Sequence, residues 1–170
     1  MTTLADFRKQ KDDFFRTDRQ SPLTPEQRAA FQGLVYYPEN PDLRLEAALE
    51  PAADVAVVTL KTSAGTEQDY FHVGQVRFPV GGKEAILQVY EAVEGGEYFI
   101  PFVDASAPAE TYGAGRYLEP DELPGGRLLL DFNLAYNPYC AYNERWVCPL
   151  PPAENRLAVR IQAGEKKFHA

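Results

Sequence analysis

This 170-residue chain is poor in histidine, cysteine, long apolar runs and basic charge, and each shortage excludes a class of chemistry. Its two histidines, His72 and His169, are too few for a His-rich zinc centre. Its two cysteines, Cys140 and Cys148, have seven residues between them, unlike the close C-x-x-C spacing of a structural zinc ribbon, so no metal site is expected. There is no G-x-S-x-G nucleophile elbow and no Walker A loop, and Gly113-Ala114-Gly115 lacks the third glycine of a dinucleotide fingerprint. No residue pattern specifies a cofactor. A bilayer span needs about 20 consecutive apolar residues; no run here comes near that, so no membrane partner is expected. The first twenty residues carry charges throughout and have no apolar segment of the signal-peptide kind, which points to a cytoplasmic location. Seventeen Lys and Arg against 25 Asp and Glu leave a net charge of -8, the wrong sign for a phosphate backbone, and exclude a nucleic-acid partner.

What the chain does contain describes a folded domain. Hydrophobic residues make up 45% and aromatics 12%, enough to bury a core without staples, and residues 1–170 read as one domain. Its organisation changes near residue 33, where a helical segment (1–33) gives way to a β-rich body (34–170). Leu4, Phe7, Phe14 and Phe15 suit one side of a helix over residues 3–18. Thr24-Pro25-Glu26-Gln27 reads as a capped start of a second helix, with Thr24 as cap, Pro25 where no helical bond is lost and Gln27 at the capping-box position; Gly33 is the expected stop.

Beyond Leu34 the apolar period shortens to two. Leu43, Leu45, Ala47 and Leu49 alternate with polar residues and Ala48, as in a half-buried strand. Val55 to Thr62 is β-branched and apolar and ends at the turn signal Ser63-Ala64-Gly65. In YFHVGQVRFPV the apolar parity changes at Gly74, which predicts a turn or bulge there, because one extra residue moves every later side chain to the other face. Gly81-Gly82 and Gly95-Gly96 read as hairpin turns. Further strands are expected over 111–118, 127–132 and 157–163. The fold class is therefore β-rich α+β: two N-terminal helices followed by a mainly antiparallel sheet forming a barrel or sandwich.

Two features bear on chemistry. Residues 91–125 hold eight Asp or Glu against the single basic residue Arg116, which reads either as solvated surface or as the makings of a cation site, although no spaced D-x-D-x-D-G loop is present. Residues 131–155, DFNLAYNPYCAYNERWVCPLPPAEN, concentrate five aromatics, two cysteines, four asparagines and four prolines. Prolines 138, 149, 151 and 152 remove backbone donors and fix φ, so the segment is a stiff loop. As structure, its Asn and Asp side chains cap turns in an Ω-like cover over the sheet. As function, Asp131, Asn133, Asn137 and Glu154 present polar groups beside Tyr136 and Tyr142, the make-up of a small-ligand pocket. Arg116 suits either a buried counter-charge for Asp131 or Glu110, or an anion-binding fork. Cys140 and Cys148 read as buried thiols, as a disulfide closing a short loop, or as a reactive or metal-binding thiol.

FVDASAPAETYGAGRYLE, LDFNLAYNPYCAYNERWVCPLPPAENRL and IQAGEKKF, together with DFFRTDRQSPLTPEQRAAFQGLVYYPEN, resemble the hallmark segments of the DUF1684 family of bacterial and archaeal proteins, from about Phe14 to Phe168. That resemblance implies a folded unit with its signature between Thr111 and Glu165. It implies no reaction, cofactor or catalytic residue.

The leading functional expectation is binding of a small polar or aromatic molecule in a cleft built from Arg116, Asp131, Asn133, Tyr136, Asn137, Cys140, Tyr142, Glu154, Asn155 and Glu165. A second is an enzyme with Cys140 as nucleophile, or with Asp131, Glu154 or Glu165 as general base. A third is an interaction module whose aromatic loop buries against a partner, as a monomer or a homodimer.

Overall fold

Two threonines open the two helices by the same device. In the computed structural model, which describes residues 2–169, α1 spans Leu4–Thr17 and α2 spans Pro25–Ala30. Thr3 Oγ1 accepts the Asp6 N–H at 3.1 Å while the Asp6 carboxylate accepts the Thr3 N–H at 3.3 Å. Thr24 and Gln27 repeat the reciprocal pair at 3.1 and 2.9 Å. α2 ends at Phe31, short of Gly33. Gly33 instead takes a positive φ of 112° and turns the chain back under α1, where the Leu34 N–H donates to Asp12 Oδ1 at 3.1 Å.

The body contains eight strands: β1 (Arg44–Ala48), β2 (Glu50–Lys61), β3 (Glu67–Val80), β4 (Lys83–Ala92), β5 (Tyr98–Phe102), β6 (Arg116–Leu118), β7 (Asp121–Leu123) and β8 (Arg127–Asp131). They form two antiparallel sheets, of order β1-β8-β7 and β2-β3-β4-β5-β6, and among the described residues neither closes into a barrel. The arrangement is sandwich-like. One core lies between the sheets, with Ala47, Leu128 and Leu130 from the smaller and Val76, Phe78, Leu87, Val89, Ile100, Phe102 and Leu118 from the larger. Phe132, at the end of β8, joins them, 5.2 Å from Phe78 and 5.6 Å from Phe102 between ring centroids. Burying one such side chain stabilises the fold by about 1.5–3 kcal/mol, so this interface dominates the cohesion of the two sheets.

Local chemistry shapes the larger sheet. The register of β3 shifts between His72 and Gly74, at the parity change legible in the sequence, and a Cβ on Gly74 would collide with the Glu50 carbonyl. Gly81 and Gly82, both with positive φ, make the two-residue turn that pairs Val80 with Lys83. The edge strand β2 leaves Val55 and Val57 exposed, and of its apolar run only Leu60 is buried.

Two expected strands are reduced or absent. Only Arg116–Leu118 of the 111–118 segment is a strand, and residues 157–163 form no strand. Residues 157 and 159 pair by backbone, the Leu157 N–H donating to the Val103 carbonyl at 2.7 Å and the Ala105 N–H to the Val159 carbonyl at 2.9 Å, and beyond them the guanidinium of Arg116, 1% exposed, takes the place of a neighbouring strand. It donates to the carbonyls of Ile161 (2.8 Å), Ala163 and Glu165 (3.2 Å), alternate residues of a strap that bends at Ala163 and Gly164, and to Asp104 Oδ1 at 3.1 Å. Asp104 Oδ2 in turn accepts the Ile161 N–H at 2.7 Å, and the Ser106 N–H and hydroxyl at 3.1 and 2.6 Å. The counter-charge of Arg116 is therefore Asp104, not Asp131 or Glu110.

Asn155, 0% exposed, performs a similar service where β4 and β5 diverge after only two paired positions. Its amide donates to the carbonyls of Gln88 (3.0 Å) and Pro101 (2.8 Å), and its side-chain oxygen accepts the Gln88 N–H at 2.7 Å.

Removing one partner of a buried ion pair leaves an uncompensated charge and costs about 3–5 kcal/mol. Asp104→Ala is expected to lower stability by that amount, read from the midpoint of urea unfolding at unchanged m; a loss under about 1 kcal/mol would show that the pair does not hold the strap.

Candidate functional site

Glu165 stands where the strap, the 131–155 segment and α1 meet. The Arg116 contacts to its own backbone and to residues 161 and 163 set its position, and its side chain is 2% exposed. Oε1 accepts the Tyr142 hydroxyl at 2.7 Å and the Asn137 N–H at 3.3 Å, and Oε2 pairs with the Lys11 ammonium. Burial, reinforced by the adjacent Glu165 charge, pushes the Tyr142 phenol far above its ordinary range, so Tyr142 is a fixed donor. Its ring packs against Phe15 at 5.0 Å and Phe168 at 5.1 Å.

Lys11 was not among the residues singled out by sequence, yet the signal was there. In α1 it lies four residues after Phe7 and four before Phe15, within the apolar side of the helix, where a charge needs a buried partner. The Lys11 ammonium lies 5.0 Å from the Tyr136 ring centroid and 5.8 Å from that of Phe15. Beside it opens a cavity of about 380 Å³ lined by Phe7, Gln10, Lys11, Phe14, Phe15, Tyr136 and Tyr139. Within the same stretch of α1, Arg8 stacks over Tyr36 at 4.4 Å, and both feel the Glu165 charge. Arg8 Nε and Nη2, Tyr36 Oη and Asn137 Oδ1 are shielded from solvent without a hydrogen-bond partner. Arg116 Nε is a further such atom, and native interiors rarely leave them unpaired.

The other predicted site residues divide. Asp131 and Asn133 line a separate cavity of about 510 Å³ with Arg44, Glu39 and Leu4. Asn133 is spent on structure, its amide accepting the Asn40 N–H at 2.8 Å and donating to the Asn40 carbonyl at 3.0 Å, with Asp131 Oδ1 accepting its backbone N–H at 3.1 Å. Asp131 Oδ2 lies 3.5 Å from Arg44. Glu154 is exposed in a short turn, while Arg116 and Asn155 are locked in the interior. Tyr136, Asn137, Tyr142 and Glu165 are brought together; the remainder do not join them in one cleft.

Cys140 and Cys148 are free thiols that face each other, the Cys140 N–H donating to Cys148 Sγ at 3.4 Å. The hydrogen bond from Cys148 draws the Cys140 thiol down to about 6, against the opposing effect of burial and with help from the Tyr112 hydroxyl 3.7 Å away. The same contact raises the Cys148 thiol. Each imidazole has Nε2 engaged, that of His72 with Gln88 Oε1 at 2.7 Å and that of His169 with the Tyr142 carbonyl at 2.9 Å, and among the described residues neither hydrogen-bonds Cys140. Among the described residues no three His, Cys, Asp or Glu side chains converge as metal ligands.

Comparison with known proteins places the chain. A family model described as a protein of unknown function, DUF1684, matches residues 29–166. The chain belongs to the DUF1684 family. The chain is similar to the solution NMR structure of the uncharacterized protein from gene locus rrnAC0354 of Haloarcula marismortui, at 39% identity and a TM-score of 0.74, covering 96% of this chain and 91% of that one. No curated protein matches the chain. The DUF1684 match includes Tyr136, Tyr139, Tyr142 and Glu165, whereas Lys11 and the rest of α1 precede it.

Because a thiol reacts as its thiolate, alkylation of Cys140 is expected to reach half its maximal rate near pH 6 and to flatten above about pH 7, where a free thiol's rate is still rising. Cys148→Ala should move that midpoint upward; a profile centred above pH 8 in the unaltered protein would contradict the arrangement.

Proposed function

We propose that the protein binds a small molecule in the cavity between α1 and the 131–155 segment, and that the ligand has a flat apolar body and a hydrogen-bond acceptor at one end. The observation that carries this reading is the Lys11–Glu165 ion pair at the edge of an aromatic cavity. Phe7, Phe14 and Tyr139 offer apolar walls, and small-ligand pockets combine such walls with a few fixed polar groups. Lys11 has three N–H donors, of which Glu165 takes one, and its side chain retains 18% exposure, so it can also meet an acceptor on the ligand. The Glu165 carboxylate already accepts from Lys11, Tyr142 and Asn137; it orients the ammonium and is poorly disposed to take a proton from a substrate. Binding is thus favoured over general-base catalysis at this point.

The test is a protein-observed NMR titration with arylcarboxylates such as phenylacetate and indole-3-acetate, alongside their neutral amides. Shifts are expected at Phe7, Lys11, Phe14 and Tyr139. Phe14→Ala, which removes one wall and leaves the ion pair intact, should weaken binding about tenfold, the equivalent of about 1.4 kcal/mol. Shifts scattered away from α1, or an affinity unmoved by Phe14→Ala, would sink the proposal.

A further inference from the structure

Tyr136 also faces a second cavity, of about 380 Å³, on the outer side of the larger sheet, and its chemistry differs from that of the first. Four rings follow one another along it. Tyr70 stacks on Phe99 at 5.6 Å, Phe99 meets Tyr117 at 4.7 Å and 78°, and Tyr117 meets Tyr136 at 5.8 Å and 88°. The stacked Tyr70–Phe99 pair and the near right angles of Phe99 to Tyr117 and of Tyr117 to Tyr136 make the corner walls of a box. Three of the phenol groups are already bonded, Tyr70 to Gln68 at 3.2 Å, Tyr117 to the Pro149 carbonyl and Tyr136 to Glu119, so what these residues offer an incoming molecule is ring rather than hydroxyl.

The charged residues lining the box are both acidic, Glu97 and Glu119, and no Lys or Arg lines it. The neighbouring Glu119 carboxyl, by hydrogen bonding and charge repulsion, holds Glu97 above the ordinary carboxylate range, with a smaller contribution from Asp121. Of the other acidic residues in 91–125, Asp104 and Glu110 are paired with Arg116 and Arg160, whereas the charge of Glu94 bears on Tyr70 and that of Asp121 on Glu97, which adds negative charge around the site. A metal ion would need more ligands than two carboxylates supply. Aromatic faces beside anionic oxygens suit a different guest, an organic cation, whose charge is attracted by the ring quadrupoles and whose carbons are desolvated against the rings.

We propose that this box binds a small-molecule organic ammonium ion, its charge held between Glu97 and Glu119 and its carbon substituents against Phe99 and Tyr117. The site is independent of the cavity under α1, sharing only Tyr136 with it.

The experiment is an NMR titration of the full chain with choline and tetramethylammonium, set against 3,3-dimethyl-1-butanol, the neutral isostere of choline. The cations should shift Phe99, Tyr117 and Glu119 saturably, with the isostere at least tenfold weaker. The double variant Glu97→Gln, Glu119→Gln, at two exposed positions, should lose at least tenfold in choline affinity, and Phe99→Leu a comparable factor, while Phe14→Ala leaves it unchanged. Equal binding of the isostere would overturn the proposal, as would no saturable shift at 50-fold molar excess, or shifts centred on α1. If a variant spectrum loses dispersion, the comparison of choline with its isostere on the unaltered protein decides alone.

Discussion

The buried pairing of Arg116 with Asp104 governs how this molecule is assembled. A guanidinium with 1% exposure must be given acceptors, and the chain gives it one carboxylate and three backbone carbonyls. Those carbonyls belong to alternate residues of the strap, so a single side chain substitutes for the hydrogen-bond ladder that a neighbouring strand would provide. Asp104 completes the exchange by accepting the Ile161 N–H, which ties β6, the residues after β5 and the end of the chain to one point. Such an arrangement is specific rather than merely cohesive, because planar donors in a fixed fork accept only one strap register.

From that point the candidate site follows. The strap's register delivers Glu165 to the interior, where Tyr142 and Asn137 from the aromatic loop and Lys11 from α1 converge on it. A buried carboxylate with these donors is satisfied, so the loop is held by polar contacts made over distances of 154, 28 and 23 residues in sequence. Asn155 and Asn133 extend the same logic, each replacing backbone pairing that the sheets do not supply. Much of the unusual composition of residues 131–155 is therefore structural, and its aromatics serve both as walls of the two cavities and as packing for α1.

Local rules were readable. The capped start at Thr24, the bulge at Gly74, the Gly81-Gly82 turn and the two-residue alternation before Glu50 all act within a few residues, and each produced the element expected of it. The 157–163 segment misled because alternation marks an extended chain without saying what its backbone groups pair with; here residues 157 and 159 bond the backbone at 103 and 105, Asp104 accepts the Ile161 N–H, and Arg116 donates to the carbonyls of Ile161 and Ala163. Glu154 and Glu165 are both glutamates of the signature region, and nothing local distinguishes the exposed one from the buried one. Lys11 was discernible as a charge within an apolar helical stripe, but its partner lies at the other end of the chain.

The amino-acid sequence by itself determined the family, the β-rich α+β class and the positions of helix starts and turns, because capping, φ preference and side-chain alternation are properties of neighbouring residues. Only the tertiary structure decided which polar residues of the signature became scaffold and which met at a cavity, because that depends on which buried charges find partners, and the partners of Arg116, Glu165 and Asn155 are supplied by distant segments of the chain.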